Sequence, residues 1–357
     1  WACDIAIRVG VAWSHPAGCL CPWSDRGECA YPSRSEPRQA VDCLSRNALF
    51  LGPWFSLRSG KVVKLFKRTP QWTIVTSAPK GEAGKQWGDY WFATDLAQAL
   101  NAEGVNAKVV SRAGANTEKR DADDVVLVLR GLRRVVPSNT SATWMLWVIS
   151  HPELVEPGEA AQYSRAFAAS DHWDPAPEIG EFRPLLQATN TTRFHPVESA
   201  EKSGVLFVGS TRGEFRPIVR DALSAQIPLQ VYGVGWEEFL QPNQIAGEFL
   251  PNSELPAAYA ASALVLNDHH RDMADLGFLS NRLFDAVAAG ARVVSDSALG
   301  ISEVFGSSVV TYNSPEELAQ IVADPDAYFP SDTTDSQLIR TQHDFGARAR
   351  ELIAAAK

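Results

Sequence analysis

The stretch Asn267–Asp296, NDHHRDMADLGFLSNRLFDAVAAGARVVSD, has the pattern of one strand–helix–strand unit. It predicts a strand end, a polar loop, a helix that opens at Ser280 and is ended by Gly290, and a second buried strand. Free backbone N–H groups and the dipole at such a helix start attract phosphate. Arg282 adds a charged fork, and Asp285 can accept hydrogen bonds from ribose hydroxyls. The layout suits a nucleotide diphosphate at the carboxyl edge of a parallel sheet.

A second loop, Gly209–Arg216 (GSTRGEFR), follows another predicted strand. Its small residues let the backbone approach an anion, while Arg212 and Arg216 can neutralise a diphosphate. The alternatives are a plain turn with solvated arginines here, and ordinary helix caps at Ser280 and Asn281. Two arginine-bearing junctions in one βαβ domain favour phosphate binding. The first half lacks Gly-x-Gly-x-x-Gly at the matching turn, which disfavours a dinucleotide-binding dehydrogenase.

These two regions resemble the donor-binding half of glycosyltransferases with the GT-B architecture, in which two Rossmann-like domains face a cleft. The segment Arg282–Asp285 is similar to the Arg-x-Phe-Glu-like signature of the bacterial "group 1" subset. The likeness runs over roughly Thr73–Lys357 and implies an α/β fold with two doubly wound parallel sheets. It implies no cofactor, because the nucleotide sugar is a substrate, and no metal. The donor-binding residues that it implies, together with those argued above, are Gly209, Ser210, Arg212, Arg216, Tyr232, Asn267, Asp268, Ser280, Asn281, Arg282 and Asp285.

The chain departs from that family at one position. Many retaining members carry two glutamates separated by seven residues in this region. Asp285 takes the second position, and Gly277 takes the first, where the carboxylate typically contacts the donor sugar. Asp272 and Asp275 are the nearby carboxylates considered as replacements. The donor sugar and the stereochemical outcome therefore stay open.

An alternation of strand and helix patterns begins at Thr73 and predicts a doubly wound sheet in each half. The runs VVLVL and WMLWVI fit parallel strands that are covered on both faces. The resemblance also places a single closing helix on the first domain. The predicted organisation is an N-terminal extension over 1–68, an acceptor domain over 69–190, a linker over 191–203, a donor domain over 204–330 and a C-terminal helix over 331–357.

Two residues of the first half are candidates for catalysis. Asp89 precedes a predicted helix and would face the cleft as a general base, with a helix N-cap as the alternative. His151 follows the strand WMLWVI, where an imidazole could contact the donor sugar or deprotonate the acceptor, and a structural role is its alternative. Tyr232 and Trp236 follow a strand of the second half, where they either read the nucleotide base or pack in the core.

Composition limits the remaining classes of function. A net charge of −9 argues against a nucleic-acid partner, which normally needs a basic face. No apolar run reaches the ~18 residues of a membrane helix and no secretory signal is recognisable, so we expect a cytoplasmic protein. Peripheral membrane association and the oligomeric state are left open. All five cysteines lie within the first 43 residues, and Cys19-x-Cys21 matches no standard zinc spacing.

The sequence thus predicts a metal-independent glycosyltransferase of the hexosyltransferase type. It would move a sugar from a nucleotide diphosphate to a hydroxyl acceptor, and the resemblance suggests bacterial surface glycan biosynthesis. One alternative is an inactive nucleotide-sugar-binding or scaffold protein of the spore-coat type, which Gly277 favours. The other alternative is a sugar-nucleotide epimerase on the same fold.

Overall fold

A computed structural model describes residues 68–115, 122–138, 141–197, 202–329 and 334–357. The predicted N-terminal extension and the cysteines therefore lie outside the described residues, except for Arg68. All described residues belong to one unit, Leu65–Lys357. No helix in these ranges is both long enough and apolar enough to cross a bilayer.

The first sheet is built from apolar runs, because a parallel strand covered on both faces buries nearly every side chain. All six residues of Val125–Arg130 are buried. Within the described ranges the strands of this sheet are β1 (Gln71–Val75), β2 (Asn106–Val110), β3 (Val125–Arg130), β4 (Thr143–Val148), β5 (Arg165–Ala168) and β6 (Arg183–Pro184). They run parallel in the order β2-β1-β3-β4-β5-β6.

The second sheet repeats this design. Its strands in the described ranges are β7 (Ser203–Val208), β8 (Leu229–Tyr232), β9 (Ile245–Gly247), β10 (Ser262–Asn267), β11 (Val293–Ser295) and β12 (Val309–Thr311). They are parallel in the order β12-β11-β10-β7-β8-β9. The strand order reverses between β1 and β3 and again between β7 and β10. Ligands of such sheets bind outside the carboxyl ends of the strands at these switch points.

The described residues also form eleven α-helices. They are α1 (Glu82–Lys85), α2 (Gly88–Ala102), α3 (Pro217–Ser224), α4 (Leu255–Ala261), α5 (Arg271–Asp275), α6 (Asn281–Ala288), α7 (Ile301–Phe305), α8 (Pro315–Ala323), α9 (Pro325–Tyr328), α10 (Thr334–Gln342) and α11 (Phe345–Ala355). Helices α4 and α6 pack on one face of the second sheet, and α3 and α8 pack on the other. In the first half, α2 and α11 share one face. The other face is covered by loops and by Met273 and Phe278 of the second half.

The C-terminal stretch 331–357, predicted as one helix, contains two. Asp344 separates them because its side chain accepts a hydrogen bond from the Ala347 amide at 2.6 Å and so caps α11. Thr189 exchanges backbone hydrogen bonds with His343 and Phe345 at the same break. Helix α11 packs on α2, where the rings of Phe345 and Phe92 lie 4.9 Å apart.

Several other short elements differ from the sequence pattern, among them α5, β6 and β9. The predicted polar loop contains α5, and strands β6 and β9 were not predicted. Both residues of Arg183–Pro184 are exposed, so β6 has no apolar signature. The two halves also contact each other beside α5, where the Ser170 hydroxyl donates to the Leu276 carbonyl oxygen at 2.6 Å.

Candidate functional site

A cleft of about 410 Å³ lies between the two halves, outside the carboxyl ends of strands from the second sheet. The first half supplies the start of α2, and the second half supplies the loops after β7 and β8 and the start of α6. The predicted site residues that line the cleft are Asp89, Gly209, Ser210, Arg212, Tyr232, Asn281, Arg282 and Asp285. Those that do not line it are His151, Arg216, Asn267, Asp268 and Ser280.

A buried ion pair lies beneath this surface. The side chains of Arg216 and Asp268 are only 1% and 2% exposed. Nε of Arg216 donates to Asp268 Oδ2 at 2.7 Å, and Nη2 donates to the other carboxylate oxygen. Its Nη1 donates to the Ser210 carbonyl oxygen at 3.0 Å. Arg216 therefore fixes the loop after β7 against the end of β10 and lies behind the cleft surface.

Arg282 lies at the cleft surface and is held by neutral partners. Nη1 donates to Asn267 Oδ1 at 2.8 Å, and the guanidinium lies 5.1 Å from the centre of the Phe207 ring. Burial lowers the pKa of Arg282, while a hydrogen bond with Tyr259 favours its charged form. Within the described residues no carboxylate forms a salt bridge with it. Its charge is therefore free to meet an anion in the cleft.

Arg212 is the third cation of this group and has a strained backbone. Its φ of 58° lies in the left-handed region, which side chains other than glycine rarely occupy. Arg212 keeps solvent-accessible surface, yet its pKa is lowered to about 10. Partial burial is the largest cause, and repulsion from Arg216 and Arg282 follows. An anion placed here would relieve that repulsion.

Helix α6 begins at the cleft with Asn281. Ser280 is the N-cap by backbone position, but its side chain makes no capping hydrogen bond. Asn281 donates to Asp285 Oδ2 at 3.0 Å, and Thr189 donates to Asp285 Oδ1 at 2.7 Å. Burial raises the pKa of Asp285 to about 7, although these two hydrogen bonds oppose the shift. Asp285 therefore lines the cleft, and both of its carboxylate oxygens already accept hydrogen bonds from the protein.

Two glycines allow the loops after β7 and β8 to touch. A Cβ on Gly209 would lie 2.8 Å from an Arg282 amino group, and a Cβ on Gly233 would overlap the Gly209 backbone. Trp236 donates to the Gly209 carbonyl oxygen at 2.8 Å and is fully buried. Core packing is therefore the right interpretation for Trp236. Tyr232 is half-buried and lines the cleft.

Asp89 is the second residue of α2, and the N-cap is Trp87, so the N-cap interpretation of Asp89 is wrong. Burial raises the pKa of Asp89, and the proximity of His151 partly offsets this. His151 has a φ of 55°, and its Nδ1 lies 2.8 Å from Glu153 Oε1. Its ring centre lies 5.3 Å from that of His270. A carboxylate and two imidazoles thus meet beside the cleft.

His269 and His270 are adjacent residues that follow strand β10. Their side chains diverge, because the buried His269 ring lies 2.6 Å from Asp296 through Nδ1. His270 turns toward His151, and burial together with Arg212 lowers its pKa to about 4. No group of three or more His, Cys, Asp or Glu side chains in the described part of the chain is arranged to hold a metal. Metal independence stays a prediction.

A cluster that joins the two halves was also missed. Arg193, in the connection between the sheets, forms an ion pair with Asp95 of α2 and donates to Asn252 of the second half. Asn190 donates to the same Asp95 at 2.9 Å. Asp95, Arg193 and Asn252 all line the cleft. The interior position of Asp95 in an apolar helix face was the available signal.

Gly277 occupies the position at which many members of the resembled family carry a carboxylate. Its φ is 71°, and a Cβ there would lie 2.9 Å from both His172 Cβ and Ser170 Oγ of the first half. The considered replacements, Asp272 and Asp275, are exposed and do not line the cleft. The space of that carboxylate is therefore taken by the first half of the chain.

Comparisons with known proteins bear on the fold of the chain. Residues 212–354 match the sequence profile of a family described as "Glycosyl transferase-like". No curated protein sequence matches the chain. The structure resembles a sucrose-phosphate synthase from Thermosynechococcus elongatus at a TM-score of 0.57 and 15% identity, covering 81% of this chain and 100% of the other.

Two further solved structures are similar over a comparable span. AviGT4, a glycosyltransferase involved in avilamycin A biosynthesis, has a TM-score of 0.55 at 14% identity, with 80% of this chain and 97% of the other covered. The T4 phage protein BGT, solved with UDP and Mn²⁺, has a TM-score of 0.51 at 12% identity, with 80% and 99% covered. These are GT-B glycosyltransferases, so the predicted fold is confirmed. The chain has the GT-B fold, and its residues 212–354 match a family described as glycosyl transferase-like.

Proposed function

We propose that this protein is a glycosyltransferase that moves a sugar from a nucleotide diphosphate to a hydroxyl acceptor. One observation carries the proposal. Arg212, Arg216 and Arg282 meet at the β7/β10 switch point, and within the described residues only Asp268 forms a salt bridge with any of them. Their excess positive charge at the cleft is matched by a diphosphate.

The same charges suit the chemistry of transfer. As the sugar leaves, the bond between its anomeric carbon and the diphosphate oxygen breaks, and negative charge grows on that oxygen. Fixed cations act on developing charge without having to reorganise, and a helix N-terminus adds to them. Arg282 and Arg212 supply the charge at the cleft surface, and Asn281 begins the helix beside them.

Asp89 and His151 serve the acceptor in this proposal. The acceptor oxygen forms the new bond to the anomeric carbon, its proton passes to a base, and the bonding electrons of the old linkage stay with the nucleotide diphosphate. Burial raises the pKa of Asp89 and makes it a better proton acceptor than an ordinary carboxylate. His151 lies close enough to influence that pKa.

The donor class also has support from the neighbours, since the T4 phage protein was solved with UDP. A hexose donor, a metal-free reaction, a role in bacterial surface glycans and a cytoplasmic location remain finer proposals. Direct tests for the first two are a panel of donor sugars and a comparison of Mn²⁺ with a chelator.

The decisive experiment is a calorimetric titration with UDP-, GDP-, dTDP- and ADP-glucose. The Arg212→Gln variant removes a cation that has no salt-bridge partner among the described residues, so it should weaken donor binding by about tenfold or more. The matched control is Arg220→Gln, an exposed arginine on α3 that lies outside the cleft lining. Equal loss in both variants, or no binding of any nucleotide, would contradict the assigned site.

A nucleotide-sugar-binding protein without transferase activity is the second candidate, and Gly277 is the observation that favours it. Gly277 takes the position at which the resembled family carries the carboxylate that contacts the donor sugar, and neither Asp272 nor Asp275 lines the cleft. Release of free nucleotide from the donor separates the two candidates. Tight donor binding with no nucleotide released, across a panel of acceptors, would favour the inactive form.

A further inference from the structure

A second pocket, of about 470 Å³, lies at the carboxyl edge of the first sheet. Its lining includes Thr76 and Ser77 just after β1, together with Arg112, Arg133 and Arg134 in the segments that follow β2 and β3. These strands flank the β1/β3 switch point, where doubly wound sheets bind their ligands. The pocket therefore has the same position relative to the first sheet as the donor cleft has relative to the second sheet.

The pocket is locally cationic in a chain whose net charge is −9. Within the described residues no carboxylate forms a salt bridge with Arg112 or Arg133, and Arg112 lies over the Trp87 ring at 5.5 Å. Arg134 forms an ion pair with Glu156, but its buried Nε has no hydrogen-bond partner. Among the described residues, these three guanidiniums with one carboxylate leave an excess of positive charge.

The pocket ends close to the carboxylate proposed as the base. Thr76 Oγ1 donates to the Asp89 carbonyl oxygen at 3.1 Å. A Cβ on Gly131 would lie 2.9 Å from Ser77 Oγ and 3.4 Å from Asp89 Oδ2, so these two side chains border the same small space. Trp87, which Arg112 covers, is a neighbour of Asp89 at the start of α2. Ser77 thus lies between the lining of this pocket and the carboxylate of Asp89, which itself lines the donor cleft.

We propose that the acceptor is an anionic sugar, bound through a phosphate monoester or a carboxylate at Arg112 and Arg133, with its reacting hydroxyl at Asp89. The inference rests on the proposed transfer reaction, because the direction of the hydroxyl follows from the role of Asp89. The anion site itself depends only on the arginines of the first half. A guanidinium fork matches the oxygens of both anions, which is why phosphate and carboxylate share one site.

The test is a calorimetric titration of the donor-free protein with glucose 6-phosphate, glucuronate and glucose. At least one charged sugar should bind about tenfold or more tightly than glucose, because hydrogen bonds to charged groups contribute about that much. Glucose 6-phosphate alone would identify a phosphate, glucuronate alone a carboxylate, and both together a site for either anion. Equal binding of all three sugars, or no binding, would overturn the proposal.

Variants locate the site. Arg133→Gln and Arg112→Gln should each weaken the charged sugar by about tenfold and leave UDP binding unchanged. Arg165→Gln is the matched control, since this exposed arginine begins β5 at the opposite edge of the same sheet. Arg133 is exposed, so its replacement keeps the fold testable even if Arg112→Gln unfolds the protein. Charged-sugar affinity that is unchanged in Arg133→Gln would contradict the site. Charged-sugar binding without any nucleotide binding would refute the proposed transferase and leave this anion site standing.

Discussion

The two switch points differ in how most of their arginines are held. At the second sheet, Arg216 is buried in an ion pair and Arg282 is held by Asn267 and Phe207. At the first sheet, Arg133 is exposed and Arg112 is half-buried, and neither forms a salt bridge within the described residues. Arg216 and Arg282 are thus fixed in advance, whereas Arg112 and Arg133 keep their charges open to solvent. Arg212 is the exposed exception at the second edge, and the ion-paired Arg134 is the exception at the first.

This difference fits two kinds of binding. Fixed charges suit a group that is always the same and that gains charge during the reaction, as a diphosphate leaving group does. Solvated arginines cost the unliganded protein less free energy than buried ones. They suit an acceptor that binds from solution and leaves as product. Variants at the two edges test this difference, because each edge should affect a different quantity: transfer activity at the first sheet and stability at the second.

The largest effect is expected at Asp89, on the acceptor side. Asp89→Asn should lower transfer by about 10²–10⁴-fold, because an amide cannot accept the hydroxyl proton. Donor binding should stay within about twofold, since the donor arginines lie in the other half. Stopped-time assays of product together with calorimetric titration of the donor separate the two quantities. A parallel loss of donor affinity would show that Asp89 belongs to the donor site.

On the donor side, Asp268→Ala should lower the free energy of unfolding by about 3–5 kcal/mol, because it leaves the Arg216 charge buried and unpaired. The matched control is Asp275→Ala, which breaks the exposed pair with Arg271 and should cost less than about 1 kcal/mol. Urea unfolding of both variants measures the difference. Similar costs for the two would mean that the second edge is no more rigid than the surface.

Patterns local in sequence predicted most of the fold. The apolar runs of β3 and β4 and the glycine-ended helix α6 need no partner to be recognised. The arginines of the second edge were also predictable, because Arg212 and Arg282 each follow the carboxyl end of a strand. The short elements α5, β6 and β9 were not predicted, because tertiary contacts rather than hydrophobic periodicity define them.

Contacts between distant segments could not be predicted. The meeting of His270 with His151, and of Arg193 with Asp95, depends on how the two halves close on each other. The division of the C-terminal stretch depends on Thr189, more than 150 residues earlier in the chain. Arg216 is buried because it pairs with Asp268, which follows a different strand. The sequence does not show this pairing, so Arg216 was predicted to bind the ligand.

Gly277→Glu tests whether the missing family carboxylate could be restored. We expect a loss of about 2–4 kcal/mol in the free energy of unfolding, because the positive φ and the contact with His172 both oppose a side chain. Gly104→Ala is the control for φ alone, since its φ of 85° is similar and its Cβ would meet nothing within 4 Å. Equal costs in chemical unfolding would show that His172 yields and that the carboxylate fits.

The last effect is a pH dependence at Asp285, where the donor edge meets the connection between the halves, and it is the smallest per unit of pH change. Burial raises the pKa of Asp285 to about 7, whereas an unfolded aspartate titrates near ~3.9. Between about pH 4 and 7 the folded state therefore binds a proton that the unfolded state has released. Stability from this group is greatest at low pH and falls as pH rises, by at most about 1.4 kcal/mol per pH unit.

Asp285→Asn should remove this slope and still accept the hydrogen bond from Thr189. The measurement is urea unfolding of both proteins at several pH values from 5 to 8 (chosen to span the pKa of about 7), with the difference between the two curves taken at each pH. Nearby Asp95 and Arg193 are present in both proteins, so their titration largely cancels in that difference. A difference that stays flat with pH would mean that Asp285 is ionised throughout. The donor edge would then carry a second permanent carboxylate and lose much of its contrast with the cationic pocket of the first sheet.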